Sequence, residues 1–331
     1  MDIELTCSLS GRKLNTWQNF LAQTGLEADC NLEQTVLVWE GDQLIATGSR
    51  LGNLLKCIAV DPAYQGEGLL AKVLTALRQE AFADGHQHLF LYTKPSNIHL
   101  FSGLLFYPVA QTTDVLLMED ARNGIQEFLK SLAPVEDFEN VGAAVMNCDP
   151  FTLGHQYLIE TAAKSCDHLY VFVLSEDRSH FSASARMEMV KLGTAHIPNV
   201  TVLPTGPYMI SNATFPTYFL KNRDDADNIH CQLDIEIFSR YFAPTFGIKR
   251  RFVGTEPLSP LTNRYNEALK SYLPQVGIDL IEIPRLENSE TPISASAVRK
   301  AWQLQDWDAV KALVPATTYH YLQTLQQEAS Q

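Results

Sequence analysis

The chain has no surplus of positive charge: 25 Lys and Arg face 38 Asp and Glu, a formal net charge of −13. Nucleic acids and anionic lipid surfaces are held by clustered Lys and Arg, so general binding to either is excluded as the main role. A local cationic pocket for a nucleotide is not. The sequence also lacks any apolar run of about 18 residues that could span a bilayer. Its six cysteines (Cys7, Cys30, Cys57, Cys148, Cys166 and Cys231) make no C-x-x-C pair and no zinc-like spacing, which points to reduced thiols. The opening MDIELTCSLSGRK is acidic and polar rather than basic and then apolar, so a soluble, cytoplasmic protein is expected. No internal repeat, long Ser/Gly/Pro tract or single-sign tract is present. Disorder is expected only near Gln326 to Gln331.

What is there suffices for two domains of about 100–200 residues each, since 46% of the 331 residues are apolar. From Thr35 to Val60 the pattern reads as strands, with a hairpin turn at Gly41-Asp42 and an end at Asp61-Pro62. The turn Gln65-Gly66-Glu67-Gly68 then leads into a helix with apolar Leu70, Val73, Leu74, Leu77 and Ala81, which ends near Gly85. A strand, HLFLYT, follows. Residues 119–139 read as a connector: IQEFLKSL is helical, while Pro134, Glu136, Asp137 and Glu139 are not. VGAAVMN is the nearly continuous apolar strand of a parallel sheet, followed by a turn, a helix from Gly154 or His155, and the strand HLYVFVLS. NVTVLP, RRFVGT and DLIEIP supply later strands. A doubly wound α/β domain is therefore expected over 140–331.

Within it, Asn147-Cys148-Asp149-Pro150-Phe151-Thr152-Leu153-Gly154-His155 lies between the first strand and its helix, at the end of the strand where ligands gather in such sheets. A helix start offers unpaired N–H groups to an anion, Gly154 permits close approach, and Thr152 and His155 add donors. An ordinary helix cap is the competing reading. Far along the chain, Ile293-Ser294-Ala295-Ser296-Ala297-Val298-Arg299 makes a second helix start, with Ser294 or Ser296 as cap and Arg299 a turn further on.

Together these segments resemble the nucleotidylyltransferase superfamily, whose (His/Thr)-x-Gly-His and Ile-Ser-Ser-Thr-x-x-Arg-like motifs hold a triphosphate from two sides. Ala295 stands where that family often has Ser. VMNCDPFTLGHQYLIETAA, SEDRSHFSASARMEMVK, FVGTEPLSPLTNRYNEAL and PISASAVR narrow the resemblance to the citrate lyase ligase family. The resemblance implies a reaction. ATP, acetate and the thiol of a dephospho-CoA-derived group on the citrate lyase acyl carrier protein give AMP, diphosphate and the acetyl thioester, with Mg²⁺ on the phosphates. It implies catalytic roles for His155, Thr152, Arg299 and Arg186. Nucleotide contacts fall to Asn147, Asp149, Phe151, Gly154, Gly254, Thr255, Glu256, Ser294 and Ser296. Arg186 reads equally as a helix-surface residue, Lys191 is a weaker phosphate candidate, and Asp149 reads equally as a turn residue.

The first half resembles the GNAT acetyltransferase family: Gln65 and Gly68 match its (Gln/Arg)-x-x-Gly-x-(Gly/Ala) loop, although Leu70 replaces the last small residue. The resemblance implies a GNAT-like α+β domain over 1–118, with Gln65, Gly66 and Gly68 binding a CoA-like arm. Acetyl transfer stays open, with Tyr92, Tyr107 and His99 as acid–base candidates or core residues. Two further readings of the whole chain stay open. One is adenylyl transfer to a phosphate acceptor such as a pantetheine phosphate or a mononucleotide; the other is nucleotide binding without turnover.

Overall fold

The computed structural model describes residues 1–29, 31–132, 138–176, 179–209, 215–220, 226–255, 260–285, 287–288 and 291–328, with 260–262, 287–288 and 291–292 described by backbone alone. Two compact units result: Met1–Gly124 with Pro216–Ile229, and Ile125–Phe215 with His230–Gln331. Among the described residues no helix is long and apolar enough to cross a membrane.

The first unit is a seven-stranded sheet of β1 (Asp2–Thr6), β2 (Gln34–Glu40), β3 (Gln43–Leu51), β4 (Leu54–Val60), β5 (Phe90–Thr93), β6 (Tyr107–Gln111) and β7 (Leu116–Glu119), ordered β1-β2-β3-β4-β5-β7-β6. Its helices are α1 (Gly11–Gln23), α2 (Leu69–Ala83) and α3 (Ile98–Ser102). The β2–β3 hairpin turns at Gly41, whose φ of 59° suits glycine. Helix α2 lays Val73, Leu74 and Leu77 onto Val36, Val38 and Ile45. Gly48 of β3 permits that approach, because a Cβ there would lie 2.5 Å from Val73 Cγ1.

In the second unit, α4 (Gly124–Leu132) precedes β8 (Val141–Met146), α5 (Leu153–Ala163), β9 (His168–Val173), α6 (Ala183–Thr194) and β10 (Val200–Pro204). Then follow α7 (Ala226–Ile237), whose residues up to Ile229 belong to the first unit, α8 (Ala243–Phe246), β11 (Ile248–Gly254), α9 (Pro260–Tyr272), β12 (Asp279–Ile283), the short β13 (Glu287–Asn288) and β14 (Thr291–Pro292), α10 (Ala295–Gln303), α11 (Trp307–Leu313) and α12 (Ala316–Glu328). The main sheet is parallel throughout, ordered β10-β9-β8-β11-β12. Strand order reverses between β8 and β11, which opens a crevice at their carboxyl ends. Ile159 and Ala162 of α5, Met189 and Val190 of α6, and Val298 of α10 share a core with Ala144, Val171 and Phe252 of the sheet.

Two parts of the linear reading change. The stretch 119–139 is not a plain connector: Glu119 ends β7, and α4 buries Ile125 and Leu129, an i, i+4 pair on one helix face. Pro134, Glu136 and Asp137 fall outside the described residues. Pro216–Ile229 belongs to the first unit, where the Tyr218 hydroxyl donates to the Tyr92 carbonyl at 3.3 Å and the Glu27 N–H donates to the Tyr218 carbonyl at 2.8 Å.

Gly193 of α6 abuts the fully buried Phe151; a Cβ there would lie 2.3 Å from the ring. Alanine gains about 1 kcal/mol of helix propensity over glycine, whereas overpacking typically costs about 1–3 kcal/mol. Gly193→Ala should therefore lower the urea unfolding midpoint modestly, and Gly193→Val, with a larger side chain and a weaker propensity gain, should lower it further.

Candidate active site

Strand β8 ends at Met146, and the loop after it reaches Thr152, the N-cap of α5. Thr152 is extended (φ −117°, ψ 167°), and its hydroxyl accepts the His155 N–H at 3.3 Å. In return the Thr152 N–H donates to His155 Nδ1 at 3.1 Å. A backbone N–H can only donate, so Nδ1 is the acceptor and the neutral ring carries its proton on Nε2. Burial, and secondarily the Arg285 charge, push the His155 pKa down to about 4. The Phe151 ring lies nearly parallel to the imidazole, 5.9 Å between centroids and 15° between planes. The result is an oriented neutral imidazole with one N–H to offer.

Helix α10 starts beside it. Ser294, extended at φ −127°, caps this helix by accepting the Ala297 N–H at 3.2 Å. A Cβ on Gly154 would lie 3.6 Å from the Ile293 carbonyl oxygen, so the starts of α5 and α10 are in van der Waals reach. Arg299 donates through Nη1 to the Asp149 carbonyl and to Asp149 Oδ2 at 3.4 Å. The Asp149 carboxylate, 8% exposed, also accepts the N–H groups of His180 (3.0 Å) and Phe181 (2.9 Å). Thr152, Gly154, His155, Ser294 and Arg299 all line one cavity of about 360 Å³, which Asn147, Asp149 and Gly254 also reach. That size is in the range of small-molecule sites. Its cations are Arg251, Arg285 and Arg299, and Asp149 is its one carboxylate among the described residues, so the local field opposes the sign of the whole chain.

Other expected residues stand elsewhere. Arg186 does not line this cavity, and it is not a surface residue. It is fully buried, and its guanidinium donates to the carbonyls of Phe181 (3.1 Å), Asn147 (3.0 Å), Leu174 (2.8 Å) and Glu176. It also bonds Asn147 Oδ1 at 2.7 Å, so it braces the loops after β8 and β9. Phe151 is buried under His155 and does not line the cavity. Ser296 is exposed, outside the cavity, and 3.1 Å from Ser294 Oγ. Thr255 also lies off the lining; it joins β11 to β12, its N–H donating to Ile283 and its hydroxyl accepting the Arg285 N–H. Lys191 is exposed and away from the cavity. Glu256 lies outside the described residues.

Among the lining residues that escaped the linear reading are Arg251, Tyr265, Asn266 and Arg285. Arg285 had a usable signal, since it directly follows DLIEIP at the carboxyl end of β12. Asn266, 2% exposed, donates to the Gly254 carbonyl at 3.0 Å and holds the end of β11.

The described residues offer no cluster of carboxylates for Mg²⁺. Among those described, no group of His, Cys, Asp and Glu could hold a metal ion, and the Asp149 oxygens already accept N–H donors.

The first unit holds a cavity of about 910 Å³. Strands β4 and β5 pair only at Leu54–Phe90 and Leu55–Leu91, and Ile58 to Val60 and Leu91 to Thr93 line the space beyond. Gln65, Gly66 and Gly68 lie at its edge, where α2 starts. Gly66 and Gly68 have φ of 91° and 74°, values that favour glycine. Tyr92 lines this cavity; Tyr107 and His99 do not.

Comparison with known proteins adds the following. Residues 141–322 match the citrate lyase ligase C-terminal domain, and residues 12–103 match the acetyltransferase (GNAT) family. The chain is 44% identical over 315 residues to the [citrate [pro-3S]-lyase] ligase of Klebsiella pneumoniae, covering 93% of this chain and 92% of that one. It is 38% identical over 327 residues to the [citrate [pro-3S]-lyase] ligase of Escherichia coli K12, covering 97% and 93%. A shorter stretch of 56 residues, 16% of this chain and 35% of the other, is 46% identical to the phosphopantetheine adenylyltransferase of Symbiobacterium thermophilum.

The depressed His155 pKa has a consequence for stability. An unfolded chain takes up the histidine proton near pH 6.5, whereas the folded one resists it until about 4. The unfolded state therefore binds more protons in that window, and stability falls as pH falls, by up to about 1.4 kcal/mol per pH unit. Denaturant unfolding between pH 7 and 4.5 should show this slope reduced in His155→Asn.

Proposed function

The chain belongs to the citrate lyase ligase family and is a ligase, and on that basis we propose that its second unit activates acetate with ATP. The observation that carries this reading is the single cavity shared by His155 and Arg299, with a helix start on each side. Paired helix starts, two rim arginines and an oriented imidazole N–H suit a bound triphosphate.

In the first step an acetate oxygen attacks the α-phosphorus of ATP. An acyl–phosphate bond forms, the α–β phosphoanhydride breaks, and diphosphate leaves with the bonding electrons. His155 donates from Nε2 to a phosphate oxygen as charge builds there, with Thr152 fixing the tautomer and Arg299 and the Ser294 turn adding further positive potential. No enzyme nucleophile is required, since positioning and electrostatics suffice. In the second step the carrier-protein thiol attacks the acetyl carbonyl, AMP departs, and the thiol proton is released. Mg²⁺, were it bound with the nucleotide, would neutralise part of the charge on the phosphates. Gln65, Gly66 and Gly68 of the first unit hold the CoA-derived arm of the acyl carrier protein, and the reaction takes place in the cytoplasm. Binding is favoured over acetyl transfer in that unit because, of the three acid–base candidates, Tyr107 and His99 lie off its cavity and Tyr92 alone lines it.

The adenylyltransferase relative favours a second reading, in which the acceptor is a phosphate. One assay separates them. With ATP, acetate and hydroxylamine, the purified protein should yield acethydroxamate together with equal AMP and diphosphate. Diphosphate release with 4′-phosphopantetheine and without acetate would instead support the phosphate acceptor. His155→Ala should cut hydroxamate formation by about 10²–10³-fold while leaving the far-UV circular dichroism intact.

A further inference from the structure

Arg251 sits on β11 among residues whose partners fix its direction. Its neighbour Phe252 packs over Gly142 in the core beside Cys166 and Leu169. Side chains alternate along a strand, so Arg251 projects from the opposite face of the sheet. There its guanidinium carbon lies 4.2 Å from the centre of the Phe238 ring, and Nη2 donates to the Tyr265 hydroxyl at 2.9 Å. Tyr265 in turn donates to Asp234 Oδ2, which lies 3.8 Å from Arg251 Nη2. Burial raises the Tyr265 pKa, which keeps that hydroxyl protonated. The arginine is 2% exposed, yet among the described residues no atom accepts from Nε or Nη1. Buried N–H groups without acceptors are costly, at about 1–3 kcal/mol each and more when charged. A side chain held this firmly, with two nitrogens left unmet, is arranged for an acceptor that arrives from outside.

The cavity it faces is the one lined by His155 and Arg299. Arg251 lies three residues before the end of β11, about 10 Å back from the rim at the usual strand rise. The rim, with Arg285, Arg299 and two helix starts, carries enough positive potential for a polyanion. Arg251 is already partly compensated by Asp234, so its surplus suits a single negative charge. Val145 and Val253 line the same cavity, and alternation from the Arg251–Ala143 pairing puts them on the Arg251 face of the sheet. A planar monoanion with a short alkyl tail matches that wall: a guanidinium satisfies carboxylate oxygens well, and the valines tolerate a methyl group.

We infer that Arg251, oriented by Asp234 through Tyr265, anchors the carboxylate of a small aliphatic acid at the inner end of the nucleotide cavity. This deepens the acetate-activation reading and rests on it for the identity of the reaction. The role of Arg251 is to hold the attacking carboxylate, while Tyr265 and Asp234 position Arg251.

The test uses the full chain. Titration of [1-¹³C]acetate, followed by NMR in the presence of a non-hydrolysable ATP analogue, should show binding to the wild type. Arg251→Gln should weaken acetate binding about 10- to 100-fold, the range for a hydrogen bond to a charged group, with analogue affinity within about threefold of wild type. In the hydroxamate assay, Arg251→Lys and Tyr265→Phe should raise the acetate KM several-fold with the ATP KM unchanged. If Arg251→Gln fails to fold, Tyr265→Phe decides, since it removes one hydroxyl and leaves both charges in place. Unchanged acetate affinity in the folded variants, or equal loss of acetate and ATP affinity, overturns the assignment. Wild-type protein that binds acetate through Arg251 yet forms no hydroxamate would instead overturn the activation reading and leave the carboxylate site standing.

Discussion

The contact between Arg299 and Asp149, 150 positions apart, is the constraint on which the second unit's site depends. Asp149 alone gathers three pieces of chain: its own loop after β8, the backbone at His180 and Phe181 just before α6, and α10 through Arg299. Each bond has a charged partner, and such bonds contribute about 1.5–3 kcal/mol apiece. Removal of Arg299 would leave the buried Asp149 carboxylate with only the His180 and Phe181 N–H groups, and its charge without a counter-ion, a larger penalty than the bond itself. With α10 tied to the loop, the starts of α5 and α10 meet across Gly154 and Ile293. Neither helix start alone distinguishes an anion site from an ordinary cap. Their convergence on one cavity is what supports the proposed anion site.

The arginines of this unit divide by what their nitrogens touch. Arg186 spends its donors on main-chain carbonyls and an asparagine oxygen, so it acts as a fixed brace. Arg299 spends only Nη1 on Asp149, which leaves Nε and Nη2 without partners among the described residues. Arg251 is as buried as Arg186 but pairs through Nη2 alone. Burial therefore does not sort these residues by role; the census of satisfied donors does. The neutral His155 completes the pattern. A protonated imidazole beside Arg285 would add positive charge to an already cationic pocket, and the site resists that protonation until about pH 4.

Features set by nearby residues were legible in the sequence. The apolar run VGAAVM and the Gly41 hairpin need only a few consecutive residues, and each appears where the pattern placed it, whereas the helix expected from Gly154 or His155 starts at Leu153 with Thr152 as its cap. Ser294 and Ser296 looked interchangeable as caps, because the choice depends on which one leaves helical φ and ψ, and that is set by the approach of the chain to α10. Arg186 read equally as a phosphate contact or a surface residue because its partners, the carbonyls of Leu174 and Glu176, come from the end of the neighbouring strand and carry no side-chain signature. Arg251 was hidden in the basic run Lys249-Arg250-Arg251, where only the sheet separates an outward charge from an inward one. The return of Pro216–Ile229 to the first unit has no local signal either, since Tyr218 is recognised there by backbone groups of Tyr92 and Glu27.

The two cavities use a helix start in different ways, and the capping residue explains the difference. In the first unit Gly68 caps α2 in a left-handed conformation with no side-chain bond, so the cap itself claims none of the opening N–H groups. In the second unit Thr152 caps α5 and takes the His155 N–H for itself. That exchange removes one donor from the anion site but fixes the orientation and tautomer of the imidazole. A bare glycine start fits passive retention of a phosphate-bearing arm, for which many weak donors suffice. A threonine start that sacrifices a donor to aim another fits a site where charge moves during a reaction, because an aimed donor stabilises one arrangement of charge above others. On the proposed reading, the residue at the head of each helix is what separates a start suited to binding from one suited to activation.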